Sequence, residues 1–217
     1  MFKSFQWIYT VYSALLFFVL MLLLGLFVLI PLLIHPRGDK ISFVFIRLWV
    51  GTWAFLSGIR FEVHGKEYID LNQSYIYIFN HRSNLDAPLL PMVIPHYVRA
   101  IGKKELSKIP IFSTVVSKLA IWVDRSNPES RHESMGKLVS LLNQGISVVV
   151  SPEGTRNNTD QTLLPFQKGA FRLAIETQTP IMEMAVIGAR SVVTKDMPSN
   201  IICIGHPYKP LKQRGCY

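Results

Sequence analysis

An imidazole at position 81 and a carboxylate at position 86 stand in the run Phe79-Asn80-His81-Arg82-Ser83-Asn84-Leu85-Asp86-Ala87-Pro88. The run follows an apolar, strand-like segment at residues 75–79. A histidine that takes a proton, held by a carboxylate that sets its tautomer and stabilises the imidazolium, is the arrangement of a general base. Five residues along an α-helix carry a side chain about 140° away from its starting face. The pair therefore meets only if His81 lies in a turn and Asp86 in the first turn of a following helix, with Asn84 or Asp86 as its cap ahead of Pro88.

Four further blocks follow in order: Gly102-Lys103-Lys104-Glu105-Leu106-Ser107-Lys108, then Ser151-Pro152-Glu153-Gly154-Thr155-Arg156-Asn157, then Phe166-Gln167-Lys168-Gly169-Ala170-Phe171, then Thr179-Pro180-Ile181. With the His81/Asp86 turn, this series resembles the 1-acyl-sn-glycerol-3-phosphate acyltransferase family, enzymes that acylate lysophosphatidic acid. The similarity runs from Asn80 to about residue 186, roughly half of the chain. It implies an acyl group moved from a thioester donor, acyl-CoA or acyl-acyl carrier protein, to the sn-2 hydroxyl of 1-acyl-sn-glycerol 3-phosphate, giving phosphatidic acid. Two other readings compete: acylation of a different lysolipid, and an inactive membrane lipid-binding or scaffold protein.

Such a transfer requires a deprotonated alcohol, a stabilised oxyanion and a held phosphate. His81 is the expected base and Asp86 its orienting partner. Ser83 lies between them, but the Gly-x-Ser-x-Gly elbow of an acyl-serine enzyme is absent, so direct transfer without an enzyme nucleophile is expected. Lys103, Lys104 and Lys108 form a cationic cluster able to bind phosphate as point charges, and the resemblance singles out Lys103. In the block after the apolar strand at 147–150, Gly154 allows close backbone approach and Arg156 offers a planar fork for phosphate. Glu153 is expected either to accept from substrate hydroxyls or to hold Arg156, and Thr155 joins them as a substrate-binding residue. Lys168 fits the family's basic-Gly pattern at a helix start. Two departures stand out: Ser151 occupies a position where the family usually has an aromatic residue, and Glu183 one where a second proline is common. Asp124-Arg125 also resembles a family feature, with a structural ion pair as its simplest reading. No motif suggests a metal or a resident cofactor; the acyl donor is a substrate.

The rest of the chain says where this chemistry is expected. Residues 5–34 contain no Asp, Glu, Lys or Arg, and as a helix would be about 45 Å long against a bilayer core about 30 Å thick. A signal peptide would be shorter and would carry a small-residue cleavage site. A second apolar stretch at 41–59 is interrupted only by Arg47, and a polar, turn-rich link at 35–40 joins the two. A single span and a one-sided hairpin both agree with this pattern. A hairpin spanning twice would put Arg37 and Lys40 on the outer side, against the positive-inside tendency. The net charge is +9, of which +4 falls in residues 1–60 and +5 in the remainder. That balance suits contact with anionic lipid headgroups. It is not accompanied by a basic helix or a zinc spacing that would indicate nucleic acid. Cys203 and Cys216 form no disulfide framework, in keeping with a catalytic domain on the cytoplasmic face.

Two domains are expected: residues 1–60 as a membrane-embedded helical segment and 61–217 as an α/β acyltransferase domain. In the second, strand patterns at 61–64, 75–79, 98–101, 120–123, 147–150, 181–187 and 200–204 alternate with helix patterns at 86–92, 112–119, 129–142 and 168–176. The resemblance adds the sheet type, mixed but largely parallel and flanked by helices.

Overall fold

A computed structural model describes residues 2–35, 38–60, 62–83, 86–109, 112–117, 119–186 and 201–205. The chain divides into two compact units, residues 1–60 and 61–217.

The first unit is a pair of helices, α1 (Phe2–Ile34) and α2 (Gly38–Leu56). They run antiparallel, and the polar groups of the seam point at backbone carbonyls across it. Trp53 Nε1 donates to the Ser13 carbonyl at 2.9 Å, Trp49 Nε1 to that of Phe17 at 3.0 Å, and Ser42 Oγ to that of Val28 at 2.6 Å. The Tyr9 hydroxyl donates to the Ser57 carbonyl at 2.7 Å. Phe17 also packs against the Trp49 and Trp53 rings. The outer surface is apolar: Trp7, Leu15, Leu22, Leu23, Leu26, Leu33 and Ile34 on α1 and Val44, Leu48 and Phe55 on α2 are exposed. Polar groups satisfied inside and hydrocarbon outside is the reverse of a water-soluble helix pair.

The second unit is built on a seven-stranded sheet, β1 (Glu62–His64), β2 (Ile76–Phe79), β3 (Val98–Lys103), β4 (Ala120–Val123), β5 (Ser147–Val150), β6 (Ile181–Val186) and β7 (Ile201–Gly205). The spatial order is β1-β7-β6-β2-β5-β3-β4. Neighbours are parallel except β6 and β7, so the expected mixed, largely parallel sheet is present. The helices are α3 (Asp86–Val93), α4 (Phe112–Val116), α5 (Pro128–Asn143) and α6 (Gly169–Thr177).

The central strand β2 is buried along its whole length, as expected of a strand with parallel neighbours and covered faces. Ile76 and Ile78 join Val148, Leu138, Leu142 and Leu173 in one core cluster, which places α5 and α6 on that face. By strand alternation Tyr75, Tyr77 and Phe79 face the other way. Burial pushes the Tyr77 hydroxyl well above its ordinary pKa, so it stays protonated, and it hydrogen-bonds with His96 Nδ1 at 2.7 Å. Helix α5 starts one residue earlier than its apolar pattern suggested. Asn127 caps it by accepting from the N–H groups of Glu129 and Ser130, and Pro128 occupies the first turn, where its missing N–H costs nothing.

Strand β3 runs two residues past the segment legible in the sequence. Gly102 and Lys103 have weak strand propensity, yet they pair with Trp122 and Val123 of β4. A Cβ at Gly102 would lie 2.5 Å from the Trp122 ring, so glycine here is a packing requirement. The extension carries Lys103 to the carboxyl edge of the sheet. The outermost residues of three expected strands, 61, 187 and 200, lie outside the described residues, as do Asn84, His206 and Cys216.

Candidate active site

Register brings the separate blocks to one edge. Ala100 of β3 is level with Val149 of β5, and Val149 with Tyr77 of β2. Three residues further on, Lys103, Pro152 and Asn80 leave the carboxyl ends of three adjacent strands at the same height. In an open α/β sheet this edge is where ligands bind. His81 and Lys103 stand two strands apart, about 10 Å across the sheet.

The His81/Asp86 contact forms in the arrangement that the spacing allows. His81 leaves the end of β2 in a turn, Asp86 begins α3, and His81 Nδ1 lies 2.9 Å from Asp86 Oδ2. The same oxygen accepts the backbone N–H groups of Arg82 and Ser83, each at 2.9 Å. Three donors converging on one buried carboxylate oxygen fix it in place. An ionised carboxylate only accepts, so Nδ1 of His81 carries the proton and Nε2 presents a lone pair. Asp86 is 1% exposed and the His81 side chain 23% exposed, which leaves the imidazole reachable and its partner shielded from water.

Glu153 is bound to backbone on both sides of the site. It is 3% exposed. Its Oε1 accepts the His81 backbone N–H at 3.1 Å and its Oε2 the Leu164 N–H at 2.8 Å. Both oxygens are thus engaged with backbone, and Glu153 braces the histidine turn. Arg156 donates from Nε to Asn158 Oδ1 at 2.9 Å. Gly154 has φ near 70°, which glycine adopts without strain. Its carbonyl accepts from Nη1 of Arg125. Thr155 is exposed on the same loop.

Two residues that the sequence reading passed over organise this region. Arg82 is buried, and its guanidinium donates to the carbonyls of Gln161 at 2.5 Å, Thr159 at 3.0 Å and Thr162 at 3.4 Å. Asn157 is 2% exposed. Its N–H donates to the His81 carbonyl at 2.7 Å, and its side chain gathers Thr159 and Gln161. Together they fasten residues 157–164 to the histidine turn. The available signals were a polar Asn beside the Glu153 block and an Arg adjacent to the histidine, and neither discloses a partner some 75 residues away. Arg125 was noted within Asp124-Arg125 but not placed at the site.

The basic residues are far less constrained. Lys103 Nζ lies 3.3 Å from Glu105 Oε1, both side chains exposed. Lys104 pairs with Asp124 at 3.4 Å. The Ser126 hydroxyl, then the Ser126 N–H and Lys104, hold the Asp124 carboxyl below its ordinary range. Lys168 is the exposed N-cap of α6. Its neighbour Gln167 donates its N–H to the Pro152 carbonyl at 2.7 Å, which ties the helix start to the Glu153 loop. Pro180 lies at the opposite edge, its carbonyl accepting the N–H of Ile76 at the start of β2. The Ser151 hydroxyl is buried without a partner among the described residues.

A largely parallel sheet with an oriented imidazole at its carboxyl edge is the plan of an α/β enzyme. The family model described as Acyltransferase matches residues 60–187, more than half of the chain, and the chain belongs to that family. Among curated relatives, 1-acyl-sn-glycerol-3-phosphate acyltransferase alpha of Ovis aries is 33% identical over 158 residues, 69% of this chain and 53% of that protein. The 1-acyl-sn-glycerol-3-phosphate acyltransferase of Cocos nucifera is 35% identical over 136 residues, 62% of this chain and 43% of that protein. The Haemophilus influenzae protein of the same name is 30% identical over 159 residues, 71% of this chain and 66% of that protein. The chain spans about half the length of the first two. The crystal structure of the 1-acyl-sn-glycerophosphate (LPA) acyltransferase PlsC from Thermotoga maritima superposes with a TM-score of 0.64 at 23% identity, over 91% of this chain and 86% of that one, and so shares the fold.

Proposed function

We propose that the protein is a membrane O-acyltransferase that converts 1-acyl-sn-glycerol 3-phosphate to phosphatidic acid. The observation that carries this reading is the 2.9 Å contact between His81 Nδ1 and the buried Asp86, which leaves Nε2 free to take a proton. The names of the relatives supply the acceptor. In the proposed reaction the sn-2 hydroxyl attacks the thioester carbonyl of acyl-CoA or acyl-acyl carrier protein as its proton passes to Nε2. The tetrahedral oxyanion collapses, the C–S bond breaks, and the imidazolium returns its proton to the departing thiolate. Asp86 stabilises the imidazolium between these events. Lys103, Arg156 and Lys168 hold the phosphate, which orients the sn-2 oxygen, while Glu153, Arg82 and Asn157 keep the histidine turn in place. Lys103 meets the phosphate by exchanging an exposed, weak pairing with Glu105 for a doubly charged partner.

The helix pair seats the enzyme in a bilayer with the α/β domain on the cytoplasmic face. In support, the segment Gln6–Ile34 has a mean hydropathy of 3.1, long and apolar enough to cross a membrane, and the pair's outer surface is hydrocarbon.

The deciding assay supplies the purified full chain with labelled acyl-CoA or acyl-acyl carrier protein and a panel of lysolipids. Transfer to lysophosphatidic acid, abolished by His81→Ala, is expected. Equal transfer to acceptors without a phosphate monoester would overturn the phosphate assignments, and no transfer to any acceptor would favour a scaffold.

A further inference from the structure

Leu163, Phe166, Phe171 and Ile175 are large apolar side chains left exposed on a domain whose other apolar residues are mostly packed in its core. Phe166 and Phe171 stack with ring centroids 6.3 Å apart. Ile175 follows Phe171 by one helical turn on α6, so both lie on one face of that helix. The buried residues of α6, Ala170 and Leu173, face the sheet. Lys168 is exposed at the N-cap of α6 and Arg172 in its first turn, and Glu176 stands beyond them in the last turn.

We propose that this apolar strip, with Lys168 and Arg172 at its active-site end, docks the α/β domain onto an anionic bilayer surface. The inference rests on the membrane acyl-transfer reading and adds a second contact to that made by the helix pair. A short amphipathic helix with aromatic and aliphatic side chains beside cations is the composition that sits at headgroup depth. The strip is also joined to the chemistry. Leu163 stands between Thr162, whose carbonyl accepts from Arg82, and Leu164, whose N–H donates to Glu153. Arg82 and Glu153 in turn hold the histidine turn. A bilayer gripping Leu163 and Phe166 therefore meets the His81 side of the domain through a continuous chain of hydrogen bonds. A lysolipid held in that surface reaches the base without leaving the membrane.

The test uses the full chain in phosphatidylglycerol vesicles, with two acceptors compared in the same preparation: a short-chain, water-soluble lysophosphatidic acid and a long-chain one held in the bilayer. The Phe171→Ser/Ile175→Ser double variant is expected to lose about tenfold in turnover on the long-chain acceptor, from weaker apolar insertion, and to keep its turnover on the short-chain one. Equal loss on both, or no loss on either, overturns the docking surface. A second readout does not need activity. In Ile175→Trp, the fluorescence added to that of the chain's four native tryptophans is expected to be quenched by lipids brominated near the headgroup. No quenching overturns the proposal, as does a dimer lost in the double variant while long-chain turnover is kept, which would mark the strip as a contact between copies. Quenching in a protein inactive on both acceptors would uphold the docking surface and sink the acyl-transfer reading.

Discussion

The two sides of the active-site edge are built differently. Around His81 the side chains are fixed by several hydrogen bonds each: Asp86 Oδ2 takes three donors, Glu153 takes two backbone N–H groups, and the Arg82 guanidinium is laid across three carbonyls, although Asp86 Oδ1 and Arg82 Nε are buried without a partner among the described residues. Around Lys103 and Lys168 little is spent, since the side chains are exposed and their partners few. The difference teaches which part must be rigid. A base has to meet a proton within a few tenths of an ångström, so its carboxylate and turn are locked. A charge that holds a phosphate acts over a longer distance and tolerates a flexible stem.

On the proposed function, that contrast predicts that the histidine side governs kcat and the lysine side KM, and variants ordered by expected effect can break it. His81→Ala removes the base and is expected to lower kcat about 10³- to 10⁴-fold, near the upper range for general base catalysis, in a protein that still inserts into membranes. Asp86→Asn keeps the shape but removes the charge that stabilises the imidazolium. A fall of about 10²- to 10³-fold in kcat is expected, with a lower melting temperature because the amide oxygen takes the Oδ2 place and leaves the NH2 group buried where Oδ1 has no partner. Arg82→Met unfastens residues 159–162. It is expected to cost about 1–3 kcal/mol of stability and about tenfold or more in kcat with KM little changed, partly restored in Arg82→Lys; a pure KM effect would place Arg82 among the substrate ligands instead. Lys103→Ala should raise KM for the phosphorylated acceptor about tenfold, the loss of one partly screened charge contact, with a small change in kcat. Glu105→Gln should leave the melting temperature essentially unchanged, as expected of an exposed pair, and should leave KM unchanged or lower it by freeing Lys103. If Lys103→Ala lowered kcat as much as Asp86→Asn does, the division between the two sides would be wrong.

Much of this was legible along the chain. Alternation of short apolar runs with helical patterns located the seven strands to within two or three residues, because strands of a buried sheet must be apolar and their turns must not be. The His81–Asp86 meeting followed from helical geometry alone. The contacts that the sequence did not disclose have a common cause. Glu153 reads as a ligand because a carboxylate beside Gly154 and Arg156 on a strand end is chemically suited to substrate. Its partners, the N–H groups of His81 and Leu164, lie 72 and 11 residues away and are backbone, which residue type does not record. Arg82 and Asn157 were overlooked for the same reason. The extension of β3 to Lys103 came from pairing with Trp122 and Val123, against the local propensity of Gly102.

The sequence by itself determined the two apolar N-terminal helices, the alternation of strands and helices, the order of the motif blocks and the close spacing of His81 and Asp86. These depend on hydrophobic period, charge-free length and close spacing, all of them local properties. Only the tertiary structure decided that Glu153 braces the base, that Arg82 and Asn157 clamp a loop to it, and that Lys103 stands level with the histidine turn two strands away. Those assignments depend on which backbone groups are brought within hydrogen-bonding reach, and strand order and register set that between residues far apart in the chain.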